Sequence, residues 1–550
     1  MCGIAGMVDF NRNIQEMRNT LTRMVKTLEK RGPDSEGEYY SKNVLLGHRR
    51  LIVVDPEGGK QPMIKIVGGK KYVIVYNGEL YNTEDLRKEL LSENYTFDAY
   101  SDTEVLLTAY IAWGIDAINK LNGIFAFAIY DEDKNQVFLA RDPMGVKPLF
   151  YSIKGSEIIF GSEIKTILAH PEVKAEVDRD GLTELFALGP SVAPGSAVYK
   201  GIKEIAPANC MLITKGNVKV WEYFKVKAEE LNETVDESIE HARSLLVDAI
   251  KRQLVGDVPV CTFLSGGLDS SAISAIAAEE LTIARDLPGM ADIDSSLLLF
   301  CKEIRKDFVV GLSGECADEL FAGYPWFTHD EMIYANTFPW SRSVGERKTV
   351  LNKNLQNLKI EELTNEEYLK TLKEVPHLDN EDKRTYRMRE LFYLNLKWFM
   401  VNLLNRKDRV SMYNSLEVRV PFADYRIVNY AFNLPPEVKL LDGREKGLLR
   451  KALVGILPDE IVFRKKSPYP KTHNPIYTEI VCNMMNEILK DKTSPILEII
   501  DKEKVQEIVD TEGKAYKTPW YGQLMTGPQM IAYLIQVDMW LREYNVNILI

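Results

Sequence analysis

The hydrophobic pattern of this chain changes near residues 205–230, and that change constrains the fold more than any other feature. Before it, short apolar runs such as YVIVYNGEL and GIFAFAIYDEDKNQVFLARD alternate with Gly, Asn and Asp turns, which predicts strands paired as hairpins. After it, apolar residues recur at helical spacing, as in VDESIEHARSLLVDAIKRQLV. Because 550 residues exceed what one hydrophobic core usually supports, we predict two domains. They are an α+β sandwich over residues 1–215 and a mostly helical α/β domain over residues 216–550.

The composition excludes several functional classes. A formal net charge of −11 without a long basic run argues against nucleic-acid binding by phosphate neutralisation. The six cysteines form no CxxC pair and no His/Cys cluster, which disfavours a zinc site or a disulfide scaffold and suits a reducing cytosol. The start, MCGIAGMVDFNRN, lacks the features of a signal peptide, and the apolar runs are too short to span a bilayer. We expect a cytoplasmic protein with no membrane partner.

Cys2 is the first candidate nucleophile. Removal of the initiator methionine would leave Cys2 with both a thiol and a free α-amino group. Such an amine has a reference pKa of about 7.7–8.0, so it can accept the thiol proton near neutral pH. One residue then supplies both nucleophile and base without a histidine. Taken alone, a cysteine at this position is more often only a small residue, so the assignment depends on the motifs that follow.

Six further motifs follow Cys2 within the first two hundred residues or so. They are RGPD at 31–34, HRRL at 48–51, YNGELYN at 76–82, SDTE at 101–104, and then GIFAFAIYD and RDPMGVKPLFY. Together with MCGIAG they resemble the class II, or N-terminal nucleophile (Ntn), glutamine amidotransferases. The resemblance implies that the first domain is an Ntn-type αββα sandwich and that Cys2 releases ammonia from glutamine.

The resemblance also implies roles for residues around the substrate glutamine. Arg50 is the expected clamp for the α-carboxylate, since a guanidinium can bind it in a bidentate manner. Asp102 accepts the α-ammonium group, with Glu79 nearby. Asn77 and the backbone N–H of Gly78 form the oxyanion hole, where loss of one donor typically costs about 10²–10³ in rate. The alternatives are a hairpin turn at Asn77-Gly78 and surface charges at Arg50 and Asp102.

A second set of motifs begins with VCTFLSGGLDSS at 260–271, which is a strand, a Ser-Gly-Gly turn and a helix. Glycines allow the backbone to approach closely, and a helix N-terminus presents N–H groups to an anion. The motif differs from the GxxxxGK[ST] P-loop and resembles the pyrophosphate loop of ATP pyrophosphatases. The resemblance implies that Asp269 binds Mg²⁺. It also implies that ATP and its diphosphate are held by Leu264, Ser265, Gly266, Gly267, Asp269 and Ser270.

The segment FVVGLSGECADELFAGYPWF at 308–327 again places a strand before a turn of small and acidic residues. By resemblance, Ser313 and Gly314 approach the nucleotide, and Asp318 is the second Mg²⁺ carboxylate. Glu315 is expected to face the aspartate amine or the adenylate.

Three more segments extend the resemblance to the C-terminus. In REKGLLRKAL, at 444–453, Lys446 is expected to stabilise charge on the α-phosphate and the leaving diphosphate; without the motif it would be a solvated helix lysine. NRKDRVSMYNSLEVRVPFADYR at 405–426 and TPWYGQLMTGPQMIAYLIQVDMWL at 518–541 resemble the bacterial glutamine-hydrolysing asparagine synthetases. By the same resemblance, the residues expected to order the site or an ammonia channel are Arg409, Arg419 and Asp424.

The asparagine synthetase resemblance implies a reaction in two halves. Aspartate and Mg-ATP give β-aspartyl-AMP and diphosphate, and ammonia from glutamine then displaces AMP. The small-molecule partners are therefore glutamine, aspartate and ATP, with Mg²⁺ as the cofactor. Ammonia loses its nucleophilicity when it is protonated in bulk water, so a tunnel between the sites is expected. Bacterial relatives imply a homodimer.

One departure from the family pattern lies near residues 280–284. The family's ATP domain carries a long segment, with a second parallel strand and adenine contacts, before RDLPGMADIDSS. Here SAISAIAAEE runs directly into LTIARDLPGM. Three explanations stay open: a disordered segment left out of the sequence, an engineered deletion, and natural loss. The first is favoured because the other motifs of the ATP site are intact.

Two alternative functions compete with asparagine synthesis. An amidotransferase of the same family would use another carboxylate or close a ring as a β-lactam synthetase does, but GECADE and LEVRVPF fit asparagine synthetases better. A glutaminase or sensor with a degenerate ATP site is supported only by the missing segment. Aspartate-stimulated exchange between ATP and diphosphate separates the hypotheses, because a sensor cannot perform it.

Overall fold

The structure, a computed structural model, describes residues 2–263, 278–465, 475–514, 519–522 and 525–550. The loop that the sequence predicts to hold diphosphate lies outside the described residues. Its predicted site residues are Leu264, Ser265, Gly266, Gly267, Asp269 and Ser270.

Strands dominate the N-terminal half. They are β1 (Gly3–Val8), β2 (Ser35–Tyr40), β3 (Val44–Arg50), β4 (Met63–Val67), β5 (Lys70–Leu80), β6 (Gly123–Asp131), β7 (Gln136–Arg141), β8 (Phe150–Lys154), β9 (Glu157–Gly161), β10 (Glu176–Asp178), β11 (Ile202–Glu204), β12 (Asn209–Thr214) and β13 (Asn217–Glu222). The helices of this half are α1 (Arg18–Lys26), α2 (Thr83–Ser92), α3 (Asp102–Trp113), α4 (Ile164–Leu168) and α5 (Arg179–Leu188).

Two six-stranded antiparallel sheets stack face to face. One has the order β11-β8-β9-β1-β3-β2 and the other the order β13-β12-β7-β6-β5-β4. The layer between them is a buried aliphatic cluster to which Ile4 and Val44 contribute from the first sheet and Val73 and Val75 from the second. Strand β1 is buried along its whole length, because its other face is covered as well.

Helices cover both outer faces of the stacked sheets. The amphipathic helix α1 packs Leu21 and Val25 against Leu45 of the first sheet. On the other side, α3 packs Val105 against Ile74 of the second sheet. The predicted αββα sandwich of Ntn type is therefore confirmed.

Helices dominate the C-terminal half, as the sequence pattern predicts. They are α6 (Val235–Arg252), α7 (Ala278–Arg285), α8 (Ala291–Ile304), α9 (Ala317–Leu320), α10 (Asp330–Ile333), α11 (Val344–Lys348), α12 (Ile360–Leu372), α13 (Lys383–Leu394), α14 (Val401–Tyr413), α15 (Tyr425–Asn433), α16 (Pro436–Lys439), α17 (Gly447–Ala452), α18 (Asp459–Val462), α19 (Pro475–Lys490), α20 (Lys502–Asp510) and α21 (Gly527–Glu543). The strands are β14 (Val260–Thr262), β15 (Val310–Leu312), β16 (Glu417–Arg419) and β17 (Asn547–Leu549).

A small parallel sheet organises this half. Strands β14, β15 and β16 pair in that order, with Cys261 opposite Gly311 and Gly311 opposite Val418. Because parallel strands end at one edge, the chain that follows β14 and the turn that begins at Ser313 leave the sheet on the same side. No helix in the described parts of the chain is long and apolar enough to cross a membrane.

The two halves share a core. Within α21, Tyr533 Oη donates to the carbonyl of Leu185 at 3.0 Å, and Trp540 Nε1 donates to Tyr199 Oη at 2.7 Å. Strand β17, at the end of the chain, pairs in parallel with β10 of the N-terminal half. One buried cluster accordingly contains side chains from both halves, among them Leu185 and Leu534.

Two sequence interpretations change in the structure. Strand β5 runs straight through Asn77 and Gly78, and Gly78 lies opposite Phe125 of β6. The alternative of a hairpin turn at Asn77-Gly78 is therefore wrong, because this pair sits inside a ladder. The second sheet also extends past the predicted domain boundary at residue 215, because β13 pairs with β12 as far as Glu222.

The shared core predicts that a cavity in α21 destabilises both halves. Leu534 is fully buried, so Leu534→Ala should lower the free energy of unfolding by about 2–5 kcal/mol through lost transfer energy and an unfilled cavity. Leu91 in α2 is half exposed, and Leu91→Ala should change it by less than about 0.5 kcal/mol. Calorimetric unfolding of both variants checks this. A separate transition that Leu534→Ala leaves unmoved would contradict a common core.

Candidate active sites

The first site surrounds Cys2, which is buried at the start of β1. The backbone N–H of Cys2 donates to Asn77 Oδ1 at 3.0 Å. Burial raises the pKa of the Cys2 thiol, while the backbone N–H of Leu51 and the charge of Arg50 act in the opposite direction. The thiol is therefore protonated at neutral pH and needs a base before it can attack.

Asn77 presents a donor beside this thiol. Its side chain is fully buried, and within the described part of the chain its Nδ2 group has no hydrogen-bond partner. A buried amide donor without a partner is costly, so an acceptor brought there by a ligand would relieve the cost. Gly78 follows in the same strand, where a Cβ would overlap the carbonyl oxygen of Ile124. Only glycine at position 78 lets β5 approach β6 this closely. The backbone N–H of Gly78 directly follows Asn77 in the same strand.

Arg50, predicted to bind the α-carboxylate of glutamine, is itself hydrogen-bonded to the loop that follows β3. It is buried at the end of β3, and its two terminal nitrogens donate to the carbonyls of Val54, Asp55 and Pro56 at 2.6–3.1 Å. These bonds shape the loop after β3 around the guanidinium. A guanidinium has five N–H donors, so the loop contacts leave donors for a ligand.

The predicted acids Glu79 and Asp102 lie together. Asp102 accepts from Tyr76 Oη at 2.8 Å and from the backbone N–H of Leu80 at 3.1 Å. Burial raises the pKa of Asp102. Burial also raises the pKa of Glu79 to about 8, with Asp102 adding to the shift and Arg419 opposing it. Two buried carboxylates side by side make a site that favours a cation.

The C-terminal half contributes residues to this first site. Arg419 Nη2 in β16 lies 3.3 Å from Glu79 Oε2, and Arg419 Nε lies 2.6 Å from Glu417 Oε1. Although burial acts in the opposite direction, neighbouring cations, Arg419 among them, lower the pKa of Glu417 to about 2. Asp424 accepts from Asn122 Nδ2 of the other half at 3.5 Å. The sequence named Arg419 and Asp424 only as ordering residues, and it did not single out Glu417.

The second site lies at the end of β15. Lys446 Nζ is 2.7 Å from Asp318 Oδ1, so these two predicted residues are brought together. The backbone near both residues is constrained: a Cβ at Gly323, in the chain that follows Asp318, would overlap the Asp318 carboxylate, and Lys446 has a positive φ of 55°. A non-glycine residue held in this region marks a constrained position.

Glu315 contacts two cations of helix α14. Its Oε1 atom is 2.6 Å from Arg406 Nη2 and 3.5 Å from Lys407 Nζ, both in α14. Ser313 is buried, and its backbone N–H donates to the carbonyl of Arg419 at 2.9 Å. Gly314 is exposed, and a Cβ there would meet nothing within 4 Å, which leaves open space beside the turn.

Both halves match known protein families. Residues 1–224 match the glutamine amidotransferase domain, and residues 241–285 and 279–542 match asparagine synthase. Asparagine synthetase [glutamine-hydrolyzing] 3 of Bacillus subtilis (strain 168) is 49% identical over 613 positions, covering 100% of both chains. Asparagine synthetase [glutamine-hydrolyzing] 1 of the same organism is 29% identical over 560 positions, covering 86% of this chain and 87% of its own. A solved glutamine phosphoribosylpyrophosphate amidotransferase from B. subtilis has 17% identity and a TM-score of 0.31, covering 48% of this chain and 60% of its own.

The comparison also locates a gap in this chain. An alignment of 613 positions against 550 residues leaves at least 63 positions without a residue of this chain. The asparagine synthase match is broken and restarts within residues 279–285, where the sequence pattern predicts a missing segment.

The order of the two matched domains agrees with the order of the two sites along the chain. The site around Cys2 lies in the region that matches the glutamine amidotransferase domain, and the site around Asp318 lies in the region that matches asparagine synthase. The chain belongs to the glutamine-hydrolysing asparagine synthetase family.

Proposed function

We propose that this protein makes asparagine, with glutamine hydrolysis at Cys2 supplying ammonia to aspartate that ATP has activated. The observation that carries the proposal is the 49% identity over the full length of an asparagine synthetase, in a chain with a candidate site in each matched domain. Aspartate, glutamine and ATP are then the substrates. A homodimer and a cytoplasmic location stay predictions.

In the glutaminase half, Cys2 is the proposed nucleophile. Once the initiator methionine is removed, the Cys2 nitrogen is an amine that takes the thiol proton, which burial otherwise holds on sulfur. The thiolate attacks the amide carbon of glutamine. Asn77 Nδ2 and the N–H of Gly78 stabilise the oxyanion, and the protonated Cys2 amine gives its proton to the leaving nitrogen, so that ammonia departs. Water then hydrolyses the thioester to glutamate and the free thiol. The bond from the Cys2 nitrogen to Asn77 Oδ1 fixes the amide so that Nδ2 points away from it.

Glutamine is recognised by its charged ends. Arg50 binds the α-carboxylate through the donors that the loop leaves available, and Asp102 and Glu79 bind the α-ammonium group. Arg419 offsets part of the repulsion between the two carboxylates, and a bound ammonium group would offset more of it.

In the synthetase half, Asp318 and Lys446 are proposed to act on ATP. The described residues contain no cluster of three His, Cys, Asp or Glu side chains suited to a metal. Mg²⁺ is commonly held by one or two carboxylates together with phosphate oxygens, so Asp318 with the predicted Asp269 fits such an ion. Mg²⁺ held there would neutralise phosphate charge. Lys446 Nζ lies 2.7 Å from Asp318, so its positive charge is next to the proposed Mg²⁺ position. There it would stabilise negative charge on the α-phosphate and the leaving diphosphate.

A second candidate is a glutaminase with impaired aspartate activation. Two observations favour it: the alignment leaves at least 63 positions without a residue of this chain, and the asparagine synthase match restarts within residues 279–285. Aspartate-dependent exchange of labelled diphosphate into ATP by the unmodified protein supports the synthetase. Glutaminase activity without any exchange supports the second candidate.

Cys2→Ala should abolish glutamine-supported asparagine synthesis and leave ammonia-supported synthesis intact, because only the first needs the thiol. Both rates are measured as asparagine formed. Cys210→Ala, another buried cysteine of the same domain, is the control and should retain both activities. Equal loss of both activities in Cys2→Ala would contradict the separation of the two sites.

Asp318→Asn should reduce aspartate-dependent ATP/diphosphate exchange by at least about 100-fold, because it removes a carboxylate proposed to hold Mg²⁺. Glutaminase activity should change by less than about twofold, since Asp318 lies in the other site. The control is Asp330→Asn, whose side chain in the same half is 73% exposed. Exchange that survives in Asp318→Asn would overturn the metal assignment.

The KM for glutamine should fall as pH rises through about 8, because burial raises the pKa of Glu79 and its charged form binds the ammonium group. Below about pH 8 the KM for glutamine should fall by up to about tenfold per pH unit, because each unit raises the ionised fraction of Glu79 about tenfold. Glu79→Gln should give a flat KM profile. The exposed residue Glu84 provides the control, and Glu84→Gln should keep the slope. A KM that increases with pH in the unmodified protein would count against this role.

A further inference from the structure

Buried ionic side chains join the two halves behind the glutaminase site. Each side chain is 3% exposed or less, which is rare for charged groups that lack a partner. Burial makes each charge dependent on its neighbours, so removing one leaves another uncompensated. The N-terminal half contributes Arg31, Lys147 and Glu163, and the C-terminal half contributes Asp286, Asp408 and Arg409.

Arg31 connects this cluster to the nucleophile. Its Nε donates to the carbonyl oxygen of Cys2 at 3.1 Å. Its Nη1 lies 2.8 Å from Asp408 Oδ2 and 3.2 Å from Glu163 Oε1. The guanidinium is planar and rigid, so the position of Asp408 sets the direction from which Arg31 reaches Cys2.

Asp408 is held between two cations of the other half. Lys147 Nζ donates to Asp408 Oδ1 at 2.7 Å, on the side opposite the contact with Arg31. Burial alone would raise the pKa of Asp408, but Arg31 and Lys147 outweigh it and lower the pKa to about 2. The carboxylate therefore stays ionised at neutral pH and keeps both contacts.

A nucleophile at the end of a chain needs such contacts more than an internal one does. After removal of the methionine, Cys2 is anchored covalently on one side only. Its nitrogen is held by Asn77 and its carbonyl by Arg31, so two hydrogen bonds replace the missing chain. A misplacement of about 1 Å in a reacting group can cost about 100-fold in rate.

We propose that Asp408 of the synthetase domain is a positioning residue for the glutaminase reaction: it orients Arg31, and Arg31 fixes the Cys2 carbonyl. This inference rests on the proposed role of Cys2. The glutaminase site is then complete only when α14 is docked against the N-terminal domain. The same helix carries Arg406, which contacts Glu315 of the second site at 2.6 Å. Helix α14 thus connects to the first site through Asp408 and to the second site through Arg406, two residues earlier.

Asp286 offers a matched control. It is also a fully buried carboxylate at the interface, paired with Arg409 and, at 3.3 Å, with Lys165 of the other half. It makes no contact with Arg31 or Cys2 among those the structure describes. Replacing either aspartate by asparagine removes one buried interface charge, but only Asp408 contacts Arg31 directly, whereas Asp286 is connected to it through Arg409 and Glu163.

Asp408→Asn should lower the glutaminase kcat by about 10–100-fold, with the KM for glutamine changed by less than about twofold. Ammonia-supported synthesis by the same full-length variant should stay within about twofold of the rate of the unmodified protein, because that reaction does not use Cys2. Asp286→Asn should keep the glutaminase kcat within about threefold. Initial rates of glutamate release and of asparagine formation give all of these quantities.

Arg31→Lys is the second variant and keeps the proposal testable if Asp408→Asn does not fold. It retains a cation for Asp408 and Glu163 but loses the fork that reaches the Cys2 carbonyl, so the same loss of kcat at constant KM is expected. An unchanged kcat in either folded variant, or an equal loss in Asp286→Asn, would overturn the role of Asp408. If Cys2→Ala retained glutaminase activity, the proposed function itself would fail. If Cys2→Ala lost it while Asp408→Asn did not, only this inference would fail.

Discussion

The ion pair between Arg31 and Asp408 is the contact that links the interface between the two halves to Cys2, the proposed nucleophile. Buried ion pairs seldom add much net stability, since desolvation offsets most of the attraction. An apolar interface of similar volume would hold the halves together as well. Such an apolar interface would not orient a side chain toward Cys2. The Arg31 guanidinium lies 2.8–3.2 Å from Asp408, Glu163 and the Cys2 carbonyl, and these three contacts together allow essentially one orientation.

The same constraint on orientation applies at the proposed glutamine site. Arg419 reaches from β16 to Glu79, and its charge opposes the rise in the pKa of Glu79 that burial and Asp102 cause. Strand β16 is also the neighbour of β15, which leads into Ser313 and the second site. The small parallel sheet and helix α14 therefore stand between the two sites, and each contributes side chains toward both. Because each element faces both sites, the effect of a substitution in either one is resolved only by measuring both activities.

Much of the fold was predictable because its signals are local. Short apolar runs with polar turns predicted the sheets, helical spacing predicted the second half, and each depends on residues close in sequence. The hairpin alternative at Asn77-Gly78 was wrong because a Gly inside a strand, where β5 and β6 approach closely, has the same local composition as a turn. The pairing of β17 with β10 joins residues near 547 to residues near 176, and a local sequence pattern cannot predict a contact between segments so far apart in the chain.

The sequence by itself determined the residue types of the chemistry: a cysteine able to become N-terminal, an Asn-Gly pair, acids and a lysine in motifs of fixed spacing. Those choices follow from chemical requirements that any fold would have to meet. Only the tertiary structure decided that Asp318 meets Lys446, that Arg50 is engaged by its own loop, and that Arg31 and Asp408 meet across the interface. The physical reason is that a charge pair between distant segments depends on burial and orientation, which exist only after the two halves have packed.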